Sequence, residues 1–268
     1  MEGADDRQYH LAVAPGDVAE TVLLPGDTER VAKITDQWDH ATEVASHREY
    51  HTETGETNGT PISVTSTGIG SPSAAIAVEE LAAVGATTFI RVGSCGAIDP
   101  ELELGDVVIT RGAVRVEGTS DEYVRESYPA VADERVVTAL VTAAEELNIP
   151  YHVGITASTD SFYAGQGRPG FGGYQSAAGI DRFEALKNAG VRNFEMEASV
   201  LCTLSSLFGL RAGAVCTVYA DRAGNEFEVT GQRRAVRVAN RAVEILAAMD
   251  QAVADADAER WHAGLTIK

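Results

Sequence analysis

Lysine is nearly missing from this sequence. Only Lys33, Lys187 and Lys268 occur, and arginine supplies the rest of 21 basic residues set against 40 acidic ones. The resulting net charge of −19 repels nucleic acid and anionic membrane surfaces. High acid with little lysine suits a chain that works in strong brine, where a Debye length of roughly 3 Å screens self-repulsion. Cysteine is also scarce. Cys95, Cys202 and Cys216 are odd in number and far apart, each in an apolar or Gly-rich setting. That excludes a disulfide framework or a zinc site and points to reduced thiols in the cytoplasm. The six histidines have no metal-ligand spacing. No apolar run approaches the roughly 20 residues of a membrane helix, and the acidic start, Met1-Glu-Gly-Ala-Asp-Asp, is not a secretory signal. Internal repeats and low-complexity linkers are missing too.

What is present is an alternation of strand-like and helix-like segments, which predicts an α/β fold. Its 268 residues suffice for one large domain with a real core, and 44% of them are apolar. Strands are expected at 21–24, 61–66, 87–92, 106–116 (as one or two), 151–157 and 211–219, with an exposed strand pair over 41–54. Helices are expected from Glu29, and at 73–84, 133–147, 182–189, 198–208 and 230–254. Residues 164–179 have no period and are rich in Gly, Gln and Ser. A long loop of that kind inside a compact domain is usually functional. The ends, about 1–8 and 256–268, are expected to be loosely held.

Five constellations stand out, and each has a plain structural reading beside a chemical one. In Leu24-Pro-Gly26-Asp27-Thr-Glu-Arg30, Gly26 lets backbone approach a ligand and Arg30 folds back over it, or the segment is an ordinary turn with a surface arginine. Ser66-Thr67-Gly68-Ile69-Gly70-Ser71-Pro72-Ser73 follows a strand and opens a helix. It lacks the third glycine of a dinucleotide fingerprint, and the next strand ends in Arg91 rather than an acid, so a nicotinamide enzyme is a poor reading. A polar turn with free N–H groups, or a Gly-Pro turn with a serine cap, fits better. Arg91-Val-Gly93-Ser94-Cys95-Gly96 places a cation in an apolar strand, where burial demands a partner: a bound oxyanion helped by Ser94, or a salt bridge. Asn193-Phe-Glu195-Met196-Glu197-Ala198 sets two acids where a strand enters a helix, to hold sugar hydroxyls or to favour the helix N-terminus. Phe162-Tyr-Ala-Gly165-Gln166-Gly-Arg168 offers an aromatic face, an amide and a guanidinium to a planar base, or is a polar loop.

Together, in this order, the five resemble the nucleoside phosphorylase family, from about His10 to Ala247. Leu-Pro-Gly-Asp-Thr-Glu-Arg, Ser-Thr-Gly-Ile-Gly-Ser-Pro-Ser with Glu79-Glu80-Leu81, Arg-Val-Gly-Ser-Cys-Gly-Ala and Phe-Glu-Met-Glu-Ala are its specific pieces, and Ala45-Ser-His47-Arg48-Glu49-Tyr50 also looks like the family. The resemblance implies a single three-layer α/β/α domain over 1–268 with a mixed central sheet. It implies phosphorolysis of a nucleoside to free base and ribose 1-phosphate, with phosphate as co-substrate and no organic cofactor. By position, Gly26, Arg30, Arg91 and Ser94 would hold phosphate, with Arg48 reaching the site of a neighbouring subunit. Ser94 stands where uridine enzymes usually carry threonine, which keeps the hydroxyl. Met196 and Glu197 would hold the ribose, and His10 of the adjacent subunit its 5′-hydroxyl. Phe162, Gln166, Arg168 and Arg222 would hold the base. Asp221 falls where purine enzymes of the family place an acid and uridine enzymes usually have asparagine; a salt bridge with Arg222 is its alternative. Glu49, Ile69 and Ser73 match positions that bind a monovalent cation such as K+ between subunits in some relatives. A homo-oligomer is implied, a hexamer built as a trimer of dimers. Uridine is the expected substrate, with guanosine or inosine, a water-using nucleosidase, and a silent nucleoside-binding module as alternatives.

Overall fold

The computed structural model describes residues 6–222 and 226–265. Strands and helices alternate along it. Strands β1 (Thr21–Leu24), β2 (His40–His47), β3 (Tyr50–Thr57), β4 (Thr60–Thr65) and β5 (Thr88–Ala97) make the first half, with helices α1 (Glu29–Thr35) and α2 (Ser71–Ala83). The second half holds β6 (Val107–Val116), β7 (Ala130–Val131), β8 (Tyr151–Thr159), β9 (Asn193–Glu195), β10 (Arg211–Asp221) and β11 (Glu226–Phe227). Its helices are α3 (Glu134–Glu146), α4 (Ala177–Asn188), α5 (Ala198–Leu207) and α6 (Gln232–Asp255).

All the strands join one mixed sheet in the order β11-β10-β6-β8-β9-β5-β1-β4-β3-β2, with β7 on β6. Strand β5 also pairs in parallel with β10 from Thr88 to Ala97. That extra pairing closes β5, β10, β6, β8 and β9 into a ring, so the middle layer is not flat. Glycine makes the curl sterically feasible: a Cβ on Gly93 would lie 2.8 Å from Cys216 Sγ on the facing strand. Here the structure corrects the expected end of the strand at Val92, because β5 continues through Ser94 to Ala97.

Helices cover both faces. Val31 and Ile34 of α1, Val136, Ala139, Leu140 and Ala143 of α3, and the apolar stripe of α6 pack on one side of Leu23, Ile90, Ile109 and Val215. On the other side α2 and α5 pack over Val22, Leu24 and Phe89. The i, i+3, i+4, i+7 spacing in α3 is the helical period read from sequence. Its N-cap Asp133 accepts hydrogen bonds from the N–H groups of Arg135 and Val136, a contribution of about 1 kcal/mol. Helix α4 starts five residues earlier than expected, because Ser176 caps it by accepting from Gly179 N–H. The loop before it contains short 3-10 turns at Ala164–Gln166 and Phe171–Gly173. Residues 1–5 and 266–268 of the expected loose ends lie outside the described residues. Nearby, Arg7 pairs with Asp17 at 3.1 Å and Trp261 packs against the core. Cys95, Cys202 and Cys216 are buried free thiols. Among the described residues no helix is long and apolar enough to cross a membrane.

Candidate active site

The C-terminal ends of β1, β5 and β10, the turn before α2 and the entry to α5 converge on a cavity of about 720 Å3. Ligand sites of open α/β sheets lie at such strand ends, and the volume suits a small molecule. Gly26, Arg30, Arg91, Ser94, Phe162, Gln166, Arg168, Met196 and Glu197 all line it, as do Glu49 and Ile69. Five motifs spread over 170 residues of sequence thus share one space.

One end is built on Gly26 and β5. A Cβ on Gly26 would meet the Gly68 carbonyl at 3.1 Å and Arg91 Nη1 at 3.9 Å, so only glycine leaves room beside that cation. Arg30, buried, donates from Nη1 to the Val92 carbonyl at 3.0 Å, and its Nε has no partner among the described residues. Arg91 is buried against acids of the β9–α5 junction. Its Nε lies 2.7 Å from Glu195 Oε2, and its Nη2 pairs with Glu197 Oε2. Of the two readings of Arg91, the ion pair is therefore present, and its partners come from the Glu195-Met196-Glu197 motif.

Glu195 and Glu197 play different parts. Glu195 accepts from the N–H groups of Glu197 and Ala198 at 2.8 and 2.9 Å, and from the Ser158 hydroxyl. It caps α5 and fixes Arg91. Glu197 accepts from Gly70 N–H at 2.5 Å, which ties it to the turn before α2. The Ser71 hydroxyl binds the Met196 carbonyl at 2.9 Å and adds a second tie. One guanidinium between two buried carboxylates leaves a surplus negative charge. Burial accordingly pushes the Glu197 carboxyl above the usual range, Arg91 pulls it down, and Glu195 pushes it up again.

The other end holds two cations. Arg168 stacks on Phe162, its guanidinium carbon 4.3 Å from the ring centroid. Arg222 donates from Nη2 to the Gln166 carbonyl at 2.7 Å. A Cβ on Gly96 would meet Arg222 Cδ at 3.2 Å and Arg168 Nη2 at 3.4 Å, so this glycine admits both side chains. Neither Nε has a partner among the described residues. Burial lowers the basicity of Arg168; burial and then the charge of Arg168 push Arg222 down to about 10. Such a pair favours an anion between its members. The turn carrying Gln166 is pinned from below: Gly167 takes φ +67°, a Cβ on Gly179 would fall 2.0 Å from the Ala164 carbonyl, and Arg182 donates to Gly165 at 3.2 Å. Gln166 Nε2 donates to Thr159 Oγ1 at 3.3 Å.

Five expected residues sit outside the lining. Arg48 is exposed in the β2–β3 turn at φ +57°, with its guanidinium 5.7 Å from the Tyr9 ring. His10 is held by Glu80, which accepts from its Nδ1 at 2.6 Å and from its backbone N–H. Neither lines the cavity of its own chain. Asp221 and Arg222 are also outside the lining, Arg222 standing behind Gly96 and Asp221 at the end of β10. Ser73 lies just behind the wall, its hydroxyl donating to the Gly70 carbonyl at 3.1 Å and 3.5 Å from that of Ile69. Glu49 Cγ is 3.0 Å from where a Gly68 Cβ would be. Glu49, Ile69 and Ser73 are therefore neighbours, although the described residues contain no group of three or more His, Cys, Asp or Glu able to hold a metal. The sequence reading gave no role to Tyr219 or Phe227, which line the cavity, and named Glu195 only as one of two acids that could hold sugar hydroxyls or favour the helix N-terminus. The pairing of Glu195 with Glu197 was a usable signal; Tyr219 in an apolar strand was not.

A cavity lined by Arg30, Arg91 and Arg168 together with Glu195 and Glu197 has the charged lining of an enzyme site for a small polar substrate. The comparisons agree. Residues 20–253 match the family described as the phosphorylase superfamily, and the chain belongs to it. It is 59% identical over 258 residues to a uridine phosphorylase of Thermococcus kodakarensis, covering 96% of this chain and 93% of that one. A uridine phosphorylase of Escherichia coli is 43% identical over 226 residues, 81% of this chain and 87% of its own. A guanosine phosphorylase of Halorubrum lacusprofundi is 43% identical over 221 residues, 82% of this chain and 86% of its own.

Proposed function

We propose that the protein cleaves uridine with inorganic phosphate, giving uracil and ribose 1-phosphate. The observation that carries this reading is the spacing of the two cation groups. Arg30 is anchored at Val92 and the Arg168–Arg222 pair at Gly96, four residues further along β5. At about 3.3 Å per residue that is roughly 13 Å, room for a ribose between a phosphate and a base. Phosphate at Gly26, Arg30, Arg91 and Ser94 attacks C1′ while the bond from C1′ to the base nitrogen breaks, through an oxocarbenium-like sugar. The bond's electron pair leaves with the base. Arg168 and Gln166 hold the carbonyl oxygens over which uracil spreads that charge, and Arg222 supports them. Glu197 accepts from the 2′-hydroxyl.

The uridine phosphorylases among the relatives support uracil. The guanosine phosphorylase of Halorubrum supports a second reading, purine cleavage by the same displacement. A panel of uridine, thymidine, inosine, guanosine and adenosine with phosphate in strong salt separates them. Uracil release as the fastest reaction is expected; guanine or hypoxanthine release as the fastest contradicts uridine.

The working unit is a homo-oligomer, a hexamer assembled as a trimer of dimers. Exposed Ile69, Phe162 and Phe227 at the cavity support a covering subunit, which brings Arg48 and His10 to its neighbour's site. The cluster of Glu49, Ile69 and Ser73 suits K+ at that junction, and added K+ should raise the melting temperature more than Na+ does. Three buried free thiols support a cytoplasmic setting. The net charge of −19 supports a saline one; full stability in salt-free buffer would contradict it.

A further inference from the structure

Tyr219 is the odd residue of β10. Its neighbours Val215, Cys216 and Val218 are apolar or thiol side chains in the core, while Tyr219 lines the cavity with only 8% of its surface exposed. A buried phenol ordinarily finds a hydrogen-bond partner. The Tyr219 oxygen accepts from the Arg30 guanidinium, and neither an acceptor for the phenol O–H nor a partner for Arg30 Nε is found among the described residues. The two groups interact. Burial raises the Tyr219 phenol above its usual range, the charge of Arg30 and a hydrogen bond from it draw it back down, and Asp27, at the same end of the cavity, pushes it up. The hydroxyl therefore faces Arg30, at the Gly26–Arg30 end of the cavity.

We infer that Tyr219 is a further ligand of the attacking oxyanion: its hydroxyl donates a hydrogen bond to the phosphate held by Gly26, Arg30 and Arg91. The inference rests on the phosphorolytic reading of the site and deepens it. A phenol O–H without an acceptor, beside a guanidinium whose Nε has no partner, is satisfied when a tetrahedral oxyanion enters, since each group contributes one N–H or O–H to a separate oxygen. The phenol stays protonated at neutral pH and so serves as a donor. Tyr219 is the bulged residue of β10, passed over by the ladder between Val218 and Ala220, and its carbonyl accepts from Glu228 N–H at 2.9 Å.

Tyr219→Phe tests this, because it removes the phenol O–H and keeps the ring. Initial rates are measured against phosphate at saturating uridine, and against uridine at saturating phosphate. The phosphate KM should rise about tenfold or more, with the uridine KM within twofold of the parent. Phosphate-induced thermal stabilisation of the nucleoside-free protein gives a second readout, and it should shrink in the variant while the melting temperature without phosphate holds. Equal phosphate KM and equal stabilisation in both proteins overturn the role of Tyr219 and leave phosphorolysis standing. A uridine KM that rises as much as the phosphate KM assigns the hydroxyl to the nucleoside and overturns the inference. A parent protein that neither binds phosphate nor needs it for cleavage overturns both this inference and the reading beneath it.

Discussion

Arg168→Ala removes one of two cations at the base end of the cavity. Arg168 is half-buried and stacks on Phe162 outside the main core clusters, so the change should leave the melting temperature within a few degrees. Its cost falls on the step that sends negative charge into the base. A lost oxyanion donor of this kind typically costs about 10²–10³ in turnover, or about 2.7–4 kcal/mol. Arg222 remains in place and is relieved of the repulsion that lowers its basicity. That relief offsets part of the loss and points to the lower bound, near 10². Uridine loss at saturating phosphate, followed by ultraviolet absorbance, measures it. A phosphate KM close to the parent's is expected, because Arg30 and Arg91 are untouched. Arg168→Lys keeps a charge but not the planar fork, and should fall between alanine and arginine. A turnover number for Arg168→Ala within threefold of the parent would refute the assignment of the base end.

Two other changes probe the middle and the curl of the site. Gly93→Ala sets a methyl 2.8 Å from Cys216 Sγ and 3.0 Å from Arg91 Nη2; overpacking of that order costs about 1–3 kcal/mol, seen as a lower melting temperature and a higher phosphate KM. Parent-like values would show that the ring yields more easily than its pairing suggests. For Glu197, burial holds the carboxyl above its ordinary 4.5, so the folded protein keeps a proton that the unfolded chain has released. Stability should then decline as pH rises from about 4.5 through the raised value. Glu197→Gln should flatten that part of the melting curve and narrow the preference for uridine over 2′-deoxyuridine; an unchanged slope contradicts the charge assignment.

Much of this was legible in the residues. The apolar period of α3, the short strand before Pro25 and the buried run of β10 gave elements close to those observed, because periodicity and turn residues act locally. The motifs around Gly26, Arg91, Gln166 and Glu197 were found from residue types, and the fold brings them together. The continuation of β5 past Val92 was not legible. It depends on pairing with β10 more than a hundred residues away, across two glycines that read locally as a turn. The ring closure was hidden for the same reason. The ion pairs of Arg91 with Glu195 and Glu197 were visible only as alternatives, since nothing local chooses among 40 acids. Tyr219 was invisible because alternation in a strand buried on both faces carries no face label.

The central claim is that phosphate, seated at Gly26, Arg30 and Arg91, is the nucleophile at C1′. Phosphorus-31 magnetic resonance of a reaction with uridine and phosphate tests it most directly. Conversion of inorganic phosphate to ribose 1-phosphate in step with uracil release is the outcome the geometry requires. Uracil release with free ribose as the sugar product, at a rate indifferent to phosphate, would contradict it.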